Sequence, residues 1–187
     1  MTQLATEHTY TDLLAMPDDG KLYELVRGQI VEKEMAALSV FVASRICFLI
    51  NLYLEAAKKG WAVTELPVTC FPWLGNHGRR PDVAYFHFER HSGPSNDPVV
   101  VAPNFVVEVL SPHDDAIEVD IKIEEYLRAG VDLVWIVNPE TKTVRTIQPD
   151  RAGKVFQASD RVTGGSVLPE FSALVGDFFP QHKPSNH

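Results

Sequence analysis

The stretch 105-FVVEVLSPHDDAIEVDIKIEEYLRAGVDLVWIV-137 decides the fold. Phe105 to Leu110 is a nearly continuous apolar run, as expected of a central strand covered on both faces. Ser111-Pro112 breaks it. Asp115 followed three residues later by Glu118 has the spacing of a capping box, and Gly130 supplies the left-handed residue that ends a helix. Between them Val119, Ile123, Tyr126 and Leu127 share one helical face. Leu133 to Val137 is a second buried strand. Strand, helix and strand in close succession predict a parallel pair joined by a right-handed crossover.

Upstream, Arg80 to Phe86 reads as a further strand, and residues 87–103 form a loop carrying Gly93, Pro94, Pro98 and Pro103. Trp61 to Phe71 suits a strand in which Pro67 marks an edge or a bulge. Met35 to Lys59 predicts a long buried helix closed by a left-handed Gly60. Lys21 to Arg27 and Gln29 to Glu34 alternate around Gly28 as a hairpin or bent strand pair, after a short helix over Thr11 to Met16. Downstream, Thr143 to Ile147, Lys154 to Ala158 and Val167 to Phe179 suggest an antiparallel extension and a short closing helix. A chain of 187 residues with 45% hydrophobic content suits one domain, divided into an N-terminal segment 1–34, a core 35–140 and a C-terminal segment 141–187.

Composition narrows the setting. MTQLATEHTY has neither the basic nor the apolar region of a secretory signal. The apolar stretch Met35 to Ala57 has Arg45 at its middle, costly in lipid, so no membrane partner is expected. Cys47 and Cys70 have no Cys or His at ligand spacing and read as small buried side chains in a reducing cytoplasm. The net charge of −8 weighs against a nucleic-acid partner, which favours a basic surface; a metal site, however, is itself acidic until its cation binds.

The chemistry starts at Glu108, the only charge in its run. An ionised carboxylate buried there needs a metal, a basic partner or a strand-end position open to water, since isolation costs several kcal/mol. Its place just before Ser111-Pro112 puts it at the carboxyl end of a strand, where open α/β sheets place ligand sites. Asp82 opens the strand before it. Were these strands neighbours, the two carboxylates would repel unless a divalent cation held them, and oxygen ligands without His or Cys suit Mg²⁺ or Mn²⁺. The residue two beyond Glu108 on the same face is Leu110, not a base. Lys122, bordering the apolar stripe of the following helix, offers the missing cation, although alone it would read as a solvated surface lysine.

The succession Tyr23-Glu24-Leu25, Gly28, Arg80-Pro81-Asp82-Val83, Val106-Val107-Glu108-Val109-Leu110-Ser111-Pro112, Lys122, Tyr126, Ala129-Gly130-Val131, Trp135-Ile136-Val137 and Pro139 resembles the Uma-type family of restriction endonucleases, a branch of the PD-(D/E)XK nuclease superfamily. The resemblance spans nearly the whole chain. It implies a restriction-endonuclease-like mixed β-sheet flanked by helices, with an N-terminal β extension, and endonuclease activity on nucleic acid, DNA foremost. By position, it implies that Asp82 and Glu108 ligate Mg²⁺ or Mn²⁺, with the Val109 carbonyl as a further ligand, and that Lys122 orients or activates the attacking water and stabilises phosphate charge. In this family the superfamily's lysine is found on the helix rather than the strand. Glu24 matches an acid placed near the metal, with an exposed strand acid as its alternative; Tyr126 is expected to pack beneath the lysine. The chain departs from the family pattern at Ser39, where members often carry His, and at His113, where Ser or Thr is usual.

Other chemistries fit less well. Ser111, His113, Asp114 and Asp115 are neighbours in sequence, without the elbow a serine hydrolase uses. His77 and His87 flank the Asp82 region and read as loop or surface residues. The competing reading is a nuclease fold kept as a binding or dimerising module. The long helix, apolar around most of its circumference, suggests a second copy as its partner.

Overall fold

The computed structural model describes residues 7–181; residues 1–6 and 182–187, at the ends of the expected segments 1–34 and 141–187, lie outside it. Thr9 caps helix α1 (Tyr10–Leu14): its hydroxyl accepts from the Asp12 N–H, and the Asp12 carboxylate accepts from the Thr9 N–H. Strands β1 (Leu22–Val26) and β2 (Gln29–Lys33) pair antiparallel. Arg27 and Gly28 between them have φ of 49° and 77°, the left-handed pair that a two-residue hairpin turn needs. The hairpin reading of this segment holds.

Helix α2 (Ala37–Ala57) buries Val42, Ile46, Ile50 and Leu54 along one stripe, each contributing about 1.5–3 kcal/mol by leaving water. Its outer stripe is open: Phe41, Phe48 and Leu52 are 48%, 54% and 55% exposed, so the reading as a buried helix holds along one face only. Among the described residues α2 is the one helix long and apolar enough, by length and composition, to cross a bilayer. Its cap differs too. Lys58, at φ 50°, takes the left-handed position foreseen for Gly60. Gly60 instead begins the next strand, where a Cβ would lie 2.2 Å from the Phe86 carbonyl oxygen. Close strand approach, not capping, accounts for that glycine.

The six strands of the main sheet are β3 (Gly60–Thr64), β4 (Val83–His87), β5 (Phe105–Val109), β6 (Leu133–Asn138), β7 (Thr143–Ile147) and β8 (Gly153–Phe156), lying side by side in sequence order. Only β5 and β6 are parallel, and helix α3 (Ala116–Ala129) joins them, as the strand–helix–strand pattern predicts. Asp115 caps α3 by accepting from the Ile117 and Glu118 N–H groups, and Gly130 ends it at φ 97°. Strand β3 stops earlier than expected, so Pro67 falls in the irregular segment after it. Strands β9 (Arg161–Gly164) and β10 (Leu168–Leu174) form a separate hairpin, followed by a 3-10 turn over Val175–Phe178. Cys47 and Cys70 are free and buried, as expected.

Alternation sorts the sheet into two faces. Val83, Tyr85, Val107 and Trp135 pack with α2 and the β9–β10 hairpin. Ala84, Phe86, Val106 and Ile136 pack with Ile123, Tyr126 and Leu127 of α3. Asp82 shares the parity of Ala84, and Glu108 that of Val106, so both belong to the α3 face. The β4–β5 register pairs Val83 with Val107. Asp82 immediately precedes β4 and Glu108 immediately follows Val107, so the two lie at the same end of this strand pair.

Candidate active site

A cleft of about 470 Å³ opens at the carboxyl end of β5, between the β1–β2 hairpin and the first turns of α3. Glu24, Asp82, Glu108, Val109 and Lys122, the five residues nominated from sequence, all line it. Glu108 Oε1 accepts from the Tyr126 hydroxyl at 2.7 Å, and its Oε2 lies 3.5 Å from Lys122 Nζ. Tyr126 therefore does more than pack beneath the lysine: it holds the carboxylate. Asp82 Oδ2 accepts from the Val109 N–H at 2.5 Å, and Oδ1 accepts from Lys33 Nζ at 2.6 Å. Glu24 is only 6% exposed, which removes its reading as an exposed strand acid. It accepts from the Arg80 N–H at 2.8 Å and Arg79 Nη1 at 3.1 Å, and lies 3.7 Å from Lys122 Nζ.

Burial pushes the Glu108 carboxyl above its ordinary range; Lys122 opposes this and the nearby Asp82 charge adds to it. Burial likewise pushes Glu65 up to about 7, against the pull of Lys33. For Glu24, burial acts upward, but Lys122, Arg79, the Arg80 N–H and Lys33 together outweigh it, and the net shift is downward. For Lys122, burial favours the neutral amine, but Glu108 and Glu24 outweigh it and hold the ammonium.

Behind the cleft lies a second charged cluster. Arg79 reaches from Glu24 to Glu125, whose Oε2 accepts from Arg79 Nε at 2.7 Å and lies 3.1 Å from His77 Nε2. His77 lies in a loop, as read, but is 2% exposed, so the surface alternative falls. His87 ends β4 half-buried beside Glu89. Burial would raise the Glu125 carboxyl, yet the hydrogen bonds from His77 and Arg79 win and hold it at about 2.

The two departures from the family pattern lie along the same cleft. Ser39 is buried and donates to the Leu110 carbonyl at 3.1 Å, and His113 is exposed at the rim. The Ser111 hydroxyl oxygen is buried without a hydrogen-bond partner, so no Ser–His pairing exists for a hydrolase of that kind.

The donors here suit a hard cation. Among the described residues no group of three or more His, Cys, Asp or Glu side chains is arranged to hold a metal ion. Two carboxylates from neighbouring strands and a backbone carbonyl would leave the remaining positions to water, the manner in which Mg²⁺ is usually bound.

Sequence reasoning missed Lys33, Glu65, Arg79 and Glu125. Two of them left a trace. With a two-residue turn at Arg27-Gly28, Leu22 pairs with Lys33 and Glu24 with Val31, so Lys33 and Glu24 share a face. Glu125 stands directly before Tyr126 in the α3 stripe.

A family model described as "Putative restriction endonuclease", Uma2, matches residues 10–176. No curated protein matches the chain. Among solved structures, the crystal structure of "a putative nuclease belonging to DUF820" from Anabaena variabilis is similar at 25% identity and a TM-score of 0.77. The alignment covers 91% of this chain and 97% of that one. The fold is thus similar to that of the DUF820 protein along nearly the whole length of both chains, and the chain belongs to the Uma2 family, whose description is "Putative restriction endonuclease".

Proposed function

We propose that this chain is an endonuclease that hydrolyses phosphodiester bonds in DNA, with Mg²⁺ or Mn²⁺ held by Asp82 and Glu108 and by the Val109 carbonyl. One observation carries the reading: carboxylates from two adjacent strands and an ammonium from the crossover helix face a single cleft. Bound there, the cation would polarise the phosphate and make water a better nucleophile. Lys122 stabilises negative charge building on the phosphate and orients or activates the attacking water. Tyr126 fixes the Glu108 carboxylate, and Glu24 positions the Lys122 ammonium. Free buried thiols at Cys47 and Cys70 suit a reducing cytoplasm.

Purified protein with Mg²⁺ or Mn²⁺ is expected to nick or cut DNA, and Asp82→Ala or Glu108→Ala to abolish the cleavage. If the wild type and both variants behave alike on DNA and RNA, the enzyme reading fails and a binding module remains. The acidic rim residues Glu32, Glu34, Asp114, Asp115 and Glu118 favour that second reading, since they repel a polyanion.

Either reading accommodates a homodimer through α2. Leu38, Phe41, Arg45, Phe48 and Leu52 follow one another at alternating steps of three and four along the open stripe, the spacing of a helix–helix seam. Sedimentation is expected to show a dimer that Phe48→Glu converts to monomer; an unchanged monomer in the wild type would remove this assignment.

A further inference from the structure

Lys33 has no part in the roles assigned above, yet it is held far more closely in the cleft than Lys122. Its side chain is 10% exposed. The three N–H groups of an ammonium each find an oxygen here: Asp82 Oδ1 at 2.6 Å, the Arg80 carbonyl at 2.7 Å and Glu65 Oε2 at 2.8 Å. Two carboxylates and a backbone carbonyl form the all-oxygen set that hard divalent cations also select. The other Asp82 oxygen accepts from the Val109 N–H, so Lys33 holds the oxygen that this hydrogen bond leaves open. By contrast Lys122 stands 3.5 and 3.7 Å from its two carboxylates, in loose contact.

An ammonium and a divalent ion at one carboxylate oxygen repel each other strongly in a partly buried site. The chain has room to yield. Lys33 is the last residue of β2, whose sole strand partner is β1, so its side chain can leave without disturbing the six-stranded sheet. We infer that Lys33 is a built-in counter-cation: it holds the Asp82 end of the cleft in the metal-free protein and releases Asp82 when a divalent ion binds. This inference rests on the metal reading of the same cleft and adds to it a competitor supplied by the N-terminal hairpin.

The test is amine labelling of the full chain with an acetylating reagent, read residue by residue by mass spectrometry, with and without Mg²⁺. Labelling at Lys33 is expected to be slow without Mg²⁺ and to rise severalfold with it, while Lys21, whose side chain is 49% exposed, labels at one rate throughout. In parallel, calorimetric titration of Lys33→Met with Mn²⁺ is expected to give a Kd about tenfold tighter than wild type, the scale of removing one competing charge contact. Binding of equal or lower strength in the variant, or Lys33 labelling unchanged by Mg²⁺ that demonstrably binds, overturns the displacement and leaves the nuclease reading intact. No binding in either protein overturns both. The labelling arm uses only the wild type, so it decides the matter even if Lys33→Met folds poorly.

Discussion

Two charged clusters lie back to back in this molecule, and the same residue type behaves oppositely in them. Glu125, in the cluster behind the cleft, is held down at about 2 by His77 and Arg79 against the effect of burial. Glu65, in the cleft, is pushed up to about 7 although Lys33 touches it, and Glu108 is raised as well. Burial acts upward on all three. What differs is supply: Arg79 and His77 converge on one Glu125 oxygen, while Lys33 and Lys122 are shared among Glu24, Glu65, Asp82 and Glu108. The rear cluster is matched in charge and the cleft is short of it. The first has the balance of a structural device; the second, on the metal reading proposed above, is where a cation would be taken up.

Arg79→Met breaks the comparison most forcefully, because it leaves Glu24 and Glu125 buried without their shared cation. Denaturant unfolding is expected to show a loss of about 3–5 kcal/mol, and a loss under about 1 kcal/mol would mean the rear cluster is not the structural one. Lys122→Met, on the cleft side, is expected to lower kcat about a hundredfold, the scale of losing one preorganised charge in a transition state, and to cost less unfolding free energy than Arg79→Met because its contacts of 3.5 and 3.7 Å are looser.

Acid separates the clusters by sign. A carboxyl lowered from 4.5 to about 2 on folding contributes stability that is complete above pH 4.5 and is lost as pH falls towards 2. Glu125→Gln should therefore flatten the acid limb of a stability–pH curve measured by thermal unfolding, and an unaltered limb would show that Glu125 carries none of it. The smallest effect belongs to Glu108→Gln. Removing an undercompensated buried charge is expected to leave stability unchanged or raise it by up to about 1 kcal/mol, while cleavage disappears. A large destabilisation would place Glu108 with the structural cluster instead.

Much of this was legible in the residues, for identifiable reasons. The α3 crossover and the parallel β5–β6 pair followed from a lone acid in an apolar run, a cap at Asp115 and a stop at Gly130, because those signals are local. That Asp82, Glu108 and Lys122 line one cleft was expected from strand alternation and helical spacing taken together with the family resemblance. Lys33 was not singled out, since Val31-Glu32-Lys33-Glu34 reads as a solvated charged edge until the turn at Arg27-Gly28 fixes which residues share a face with Glu24. Glu65 gave no sign, for its position depends on a left-handed bend at φ 56° just after β3. Arg79, His77 and Glu125 come from a loop and a helix brought together only by tertiary packing. The outer stripe of α2 shows the complementary limit: hydropathy recorded its apolar character, whereas its exposure depends on how much of the helix one sheet can cover.

The most direct test is a crystal soaked in Mn²⁺, with the anomalous signal used to find the metal. The charge-deficient cleft predicts a peak roughly 2.0–2.3 Å from one oxygen of Asp82 and one of Glu108, a spacing typical of such hard cations, with Lys33 withdrawn from Asp82. A peak elsewhere on the surface, or none at a concentration that supports cleavage, would contradict it.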